Sequence, residues 1–273
     1  MGRKFIRPFL DTETDRMENL MYTVGDIYNF IEETAPFAWQ EGYDNSGLCV
    51  GNMGRPADKI MLSLDCTIDV AREAVKKGVQ LVVTHHPVIF RGIKQLDPDS
   101  VVGVLAAGGV SVISAHTNFD SAVMNDILCE KLGLTPSDCI AEEHGVKTGC
   151  ICETQGITAK AMAQILKEKL GCPTVRYDRA NDGELKKIAV CSGSGGSFLN
   201  DVLAKGCDGF ITGDVKHDIF VDAYNAGLTV FDAGHYYTEN IFCGYMENAL
   251  KEHFPDAEVN IAETSGDVVE WST

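Results

Sequence analysis

The chain contains no run of the roughly 18 consecutive apolar residues that a membrane span requires. Its first twenty residues, MGRKFIRPFLDTETDRMENL, also lack the apolar block of a secretory leader. The expected address is the cytoplasm. Cations are scarce, with 23 Lys and Arg against 40 Asp and Glu and a formal net charge of −17. A surface of that sign repels phosphate backbones and acidic lipid, which argues against general nucleic-acid binding and membrane association. No Gly-Lys-Ser/Thr follows a glycine-rich turn, so there is no P-loop, and no zinc-finger cysteine spacing occurs. The ten cysteines mostly stand singly in apolar or glycine-rich contexts. Cys150 and Cys152 are the nearest pair, spaced to share one face of a strand, and the set reads as reduced interior residues.

Against these absences stand 273 residues, 45% of them hydrophobic, enough for one large domain or two smaller ones. Residues 1–20 show no clear periodicity and read as a loosely held extension. In VGDIYNFIEETAP, Val24, Ile27 and Ile31 recur at helical spacing before Pro36. From Lys59 onward strands and helices alternate: KIMLSLD, TIDVAREAVKKG, QLVVTHHP, VVGVLAAGG, VSVISAHTNFD and NDILCEKLGL. Thr67 suits an N-cap and Gly78 the residue past the end of the first of these helices. Such alternation predicts βαβ units, a mostly parallel sheet and an α/β fold. TAKAMAQILKEKLG reads as an amphipathic helix ending at Gly171, TVRYD as a strand, and the strand, turn and helix theme resumes through KKIAVCSGSGGSFLNDVLAKG and CDGFITGDVKHDIFVDAYNAG. The expected organisation is a first lobe over 21–130, completed by 230–273, and a second lobe over 131–229.

Chemistry-bearing side chains gather where the apolar runs end. His85 and His86 follow VVT, His116 and Asp120 lie in ISAHTNFD, and His235 and Glu239 lie in VFDAGHYYTE. Open α/β sheets place their sites at the carboxyl ends of strands, so the three segments are expected to meet at one edge of one sheet. Adjacent imidazoles at a strand end point different ways and can feed two ions, while His235 and Glu239, at i and i+4, share a helix face. A lone histidine is more often structural than a ligand; three coincident clusters outweigh that reading. Imidazoles with carboxylates suit zinc, iron, manganese, cobalt or nickel and disfavour calcium and magnesium. Two divalent ions are therefore the expected cofactors. His116 and His217 are candidate proton carriers, and Arg91, Lys94, Asp214 and Lys216 are candidates for holding a small-molecule substrate. Asp65 and Asp214, at strand ends, read more readily as helix caps. The stretch SGSGGSF is either an anion-cradling loop or a plain tight turn.

The stretches YDNSGLCVG, THHPVIFRGIK, SAHTNFD, SGSGGS, ITGDVKHD and FDAGHYYTE, in that order, resemble the GTP cyclohydrolase 1 type 2 homologues, the NGG-one-interacting-factor-three-like family. The resemblance runs from about Tyr22 to the C-terminal helix and matches the short form without an inserted domain. It implies two α/β lobes, a di-metal site in the cleft between them and commonly a ring-shaped hexamer. Carried onto this chain, the implied ligands are His85, His86, Asp120, His235 and Glu239, with Glu239 bridging and His116 in a supporting position. SAVMND after Asp120 departs from the family's Gly-Gly. The implied activity is metal-dependent hydrolysis of a nucleotide-like or phosphorylated small molecule; a non-enzymatic metal-binding scaffold is the alternative.

Overall fold

A computed structural model describes residues 22–180 and 182–272; the expected extension over 1–20 lies outside them. Two sheets organise the chain. The first runs β1-β4-β3-β2-β13, built from Gly47–Val50, Ser111–Ser114, Leu81–Thr84, Lys59–Ser63 and Glu258–Ile261. Its last four strands are parallel and β1 runs antiparallel to β4. The second runs β5-β8-β10-β11-β12-β9, from Pro136–Asp138, Cys150–Thr158, Glu184–Val190, Gly209–Thr212, Thr229–Asp232 and Arg176–Tyr177. Here β10, β11 and β12 are parallel and the flanking strands antiparallel. A hairpin of β6 (Ala141–Glu143) and β7 (Val146–Thr148) stands apart.

Both sheets are covered on both faces, which explains why their strands read as continuous apolar runs. In β2 and β3, Ile60, Leu62, Leu81 and Val83 face the helices Val24–Thr34 and Ile241–His253, while Met61 and Val82 face the helices Ile68–Lys76 and Val101–Ala107. In the second sheet Ile188, Ile211 and Phe231 enter one core, and Ala189, Phe210 and Val230 the other. The helix signals behave as their chemistry requires. Thr67 Oγ1 accepts the Val70 amide, and Gly78, at φ +66, turns the chain out of that helix. Gly171 closes the helix Ala159–Leu170 at φ +72.

β12 corrects the expected partition of the chain. It pairs with β11 and β9, so residues 229–232 belong to the second sheet, and the chain returns to the first only with the helix Ile241–His253 and β13. Its sequence resembles that of β3 and β4, but pairing partners, not pattern, decide which sheet a strand joins. After Asp120, the segment lacking Gly-Gly forms a π-helical turn over Asp120–Met124.

Candidate metal centre

The parallel strands of the two sheets end towards each other. His85 and His86 follow β3, Asp65 follows β2, and His116 follows β4; Asp214 follows β11, and His235 follows β12. The expected single sheet edge is thus two facing edges. Beyond Thr84 the ladder continues, with the His85 and His86 amides donating to Ser63 and Leu64 carbonyls at 3.3 and 3.0 Å. The chain bends at these two residues, and both rings turn towards one centre with their centroids 5.0 Å apart: His85 is fully buried and His86 half-buried.

The side chains converge tightly. Ligand-type atoms of His85, Asp120 and Glu239 lie within 4.8 Å of one another, as do those of His86, His235 and Glu239, and those of His85, His86 and His116. Glu239 Oε2 lies 2.8 Å from His235 Nε2, 3.0 Å from His86 Nε2 and 3.8 Å from His85 Nε2. His85 Nε2 is 3.5 Å from Asp120 Oδ1. Neither contact of His85 satisfies hydrogen-bond geometry, so this buried nitrogen has no partner.

Each ring is held from behind through Nδ1. Ala115 carbonyl takes His85 at 2.7 Å, Asp65 takes His86 at 2.7 Å, Asp214 takes His235 at 3.0 Å, and Asp44 takes His116 at 2.8 Å. With Nδ1–H donating, it is Nε2 of each ring that points into the cluster and is the nitrogen a metal would take, the arrangement that metal-ligating histidines show. The buried Nε2 without a partner, the inward-facing Nε2 atoms and two triads sharing one carboxylate fit a divalent metal centre with nitrogen and oxygen donors. Burial alone would lower the His86 pKa, but Asp65 and Glu239 outweigh it and push it up to about 10. His235 rises to about 9 in the same way, against burial and chiefly through Glu239, and Glu239 falls well below the usual carboxylate range. Protons on His86 and His235 therefore balance the carboxylate, and a bound ion would displace them.

The glycine stretch serves this carboxylate. A Cβ at Gly193, whose φ is +59, would stand 2.0 Å from Glu239 Oε1. The amides of Ser192, Gly193 and Gly195 bond Asn125 Oδ1, Thr238 Oγ1 and Thr212 Oγ1, so the loop is a close-packed turn and these amides are not offered to an anion. Ser192 Oγ also donates to Asp120 Oδ1 at 3.3 Å.

Other sequence candidates lie elsewhere. Arg91 and Lys94 sit in the exposed, irregular segment after Pro87, and Lys216 and His217 are exposed where the helix His217–Ala226 begins. None of the four lines the two cavities that border His235, of about 570 and 180 Å³. Asp214 orients His235 from a strained φ of +51, and Asp65 orients His86; neither acts as a helix cap. Residues missed from sequence include Asp44 and Arg176. Arg176 is the one fixed cation lining either cavity among the described residues, and it is bonded to Asp232 and to the Val215 carbonyl. An aspartate in a Gly-flanked turn and an arginine in a two-residue strand carry no sequence signal for such roles.

Fold and site together define a mixed α/β protein with a buried histidine and carboxylate cluster, suited to divalent metal, between two sheets. The model of the Duf34/NIF3 (NGG1p interacting factor 3) family matches residues 22–267, and the chain belongs to that family. A Clostridium perfringens protein named GTP cyclohydrolase 1 type 2 homolog is 34% identical over 261 residues, covering 91% of this chain and 99% of that one. The Helicobacter pylori protein (strain 26695) named GTP cyclohydrolase 1 type 2 is 32% identical over 226 residues, 81% of this chain and 89% of its own. Among solved structures, a Staphylococcus aureus hypothetical protein superposes with a TM-score of 0.84 at 23% identity, over 92% of this chain and 99% of its own, showing the shared fold. No helix among the described residues is long and apolar enough to cross a membrane.

Proposed function

We propose that this protein is a dinuclear metal-dependent hydrolase of a small nucleotide-like or phosphorylated molecule. The observation that carries the reading is the pair of triads joined at Glu239: His85 with Asp120 on one side, His86 with His235 on the other. Five side chains shared by two ions leave coordination positions open, as catalysis requires and a closed structural site does not. Such ions, when bound, supply acidified water and polarise a carbonyl or phosphoryl oxygen.

The chain's own residues prepare that chemistry. Asp65, Asp214 and the Ala115 carbonyl fix the three ligand rings so that little reorganisation accompanies binding. Burial of His85 and Glu239 keeps bulk water from the centre. The larger cavity, bordered by His86 and His235, has room for a small ligand, and Arg176 on its wall is placed to meet an anionic group. His116, on the smaller cavity, is placed to take up a proton. The names borne by the relatives support a guanine nucleotide as one substrate to try. The test is turnover by metal-loaded protein against GTP and a panel of phosphoesters. Activity above a His85→Ala, His86→Ala double variant is expected, and none above that control overturns the reading.

A further inference from the structure

Of the four imidazoles at the centre, His116 is the one left over. The groups containing a carboxylate use His85, His86 and His235; His116 joins only a third group, whose other two members, His85 and His86, already belong to the first two. Yet the residue behind it is the most firmly held. The Asp44 side chain is 0% exposed, against 48% for Asp65 and 63% for Asp214. Its Oδ1 accepts His116 Nδ1–H at 2.8 Å and the Asn45 amide at 2.7 Å. Its Oδ2 accepts the Thr117 amide at 3.1 Å, Thr117 Oγ1 at 2.5 Å and Ser46 Oγ at 2.9 Å. Ser46 Oγ in turn accepts the His116 amide at 3.1 Å, so the turn before β1 clamps both the ring and the backbone of residue 116.

We propose that Asp44 is a positioning residue, which fixes His116 in the Nδ1–H tautomer and holds its Nε2 lone pair beside His85 and His86 as a proton acceptor and not as a metal ligand. The inference rests on the hydrolase reading for its purpose but not for its geometry. A buried carboxylate is costly unless its bonds are used, and five donors directed at one side chain make a rigid platform. Its two oxygens divide the work: Oδ2 staples the turn to Thr117, and Oδ1 faces the ring. A staple alone would need only Oδ2.

That division gives the experiment. Protein labelled with 15N-histidine and loaded with zinc is examined by solid-state NMR, the His116 signals being those lost in His116→Gln. Asp44→Asn is expected to move the His116 nitrogens away from the Nδ1–H pattern while metal analysis still finds the wild-type zinc content. Thr117→Val, which removes only a staple hydroxyl, is expected to leave them in place, and turnover, where measured, falls tenfold or more in kcat with KM little changed for Asp44→Asn alone. In the Asp44→Asn, His116→Gln double variant the loss equals that of His116→Gln. Unmoved signals in Asp44→Asn, equal shifts in Thr117→Val, or loss of zinc from Asp44→Asn each overturn the proposal. Absence of turnover in the zinc-loaded wild type would overturn the hydrolase reading, while the spectra would still decide the role of Asp44.

Discussion

The two sheets are built alike and contribute unlike halves to the centre. From the five-stranded sheet come His85, His86, His116 and Asp120, with Asp65 and Asp44 behind them; from the six-stranded sheet come His235 and Glu239, with Asp214 and Gly193 behind them. The first half is rich in imidazole and holds a buried nitrogen with no partner. The second supplies the one carboxylate that touches both triads. Neither half assembles the two triads alone, so the centre depends on the docking of the two sheets. Glu239 is where that dependence concentrates.

The largest expected effect comes from removing the shared carboxylate. Glu239→Gln keeps the shape but not the charge, and metal analysis should fall from about two ions per chain towards none, whereas Asp120→Asn should retain about one, held by His86, His235 and Glu239. Equal losses in both variants would break the asymmetry between the halves. Next comes the cradle. Gly193→Ala places a methyl group against Glu239 Oε1 at a left-handed backbone position, and should destabilise by about 1–3 kcal/mol and lower metal content. Gly227→Ala has a comparable φ of +78 and open space around it, so chemical denaturation of the two variants separates the clash from backbone strain, and a Gly193→Ala protein with full metal content would show that the cradle does not matter.

The last expected effect is on pH dependence, and it is confined to chelated protein. His86 and His235, raised from 6.5 to about 10 and about 9 in the metal-free chain, contribute stability that is fully present below pH 6.5 and lost as the pH climbs through those values. Bound ions replace the protons, so melting curves of chelated protein should fall between pH 6.5 and 10 while those of loaded protein do not. Parallel curves would show that protons and metal do not compete for the same nitrogens.

Periodicity was sufficient for the helix Val24–Thr34, for the Thr67 cap and for the strands bearing His85, His116 and His235, because these rest on contacts within a few residues. The same local logic misplaced β12, since Val-Phe-Asp is equally at home in either sheet. It also favoured Arg91, Lys94, Lys216 and His217 as neighbours of the site, because closeness in sequence to a histidine is not closeness to its Nε2. Asp44 escaped notice because its meaning lies 72 residues away, at His116.

The sequence by itself determined the kinds of donor present, their places at the ends of apolar strands and the α/β alternation that carries them. Short-range chemistry writes all three: strand period, helix caps, and the i, i+4 spacing of His235 and Glu239. Only the tertiary structure decided that two sheets face each other across the centre, that Gly193 makes room for Glu239, and that Asp44, Asp65 and Asp214 stand behind three of the imidazoles. Those choices depend on burial and on hydrogen-bond partners brought together from distant parts of the chain, and no local pattern encodes them.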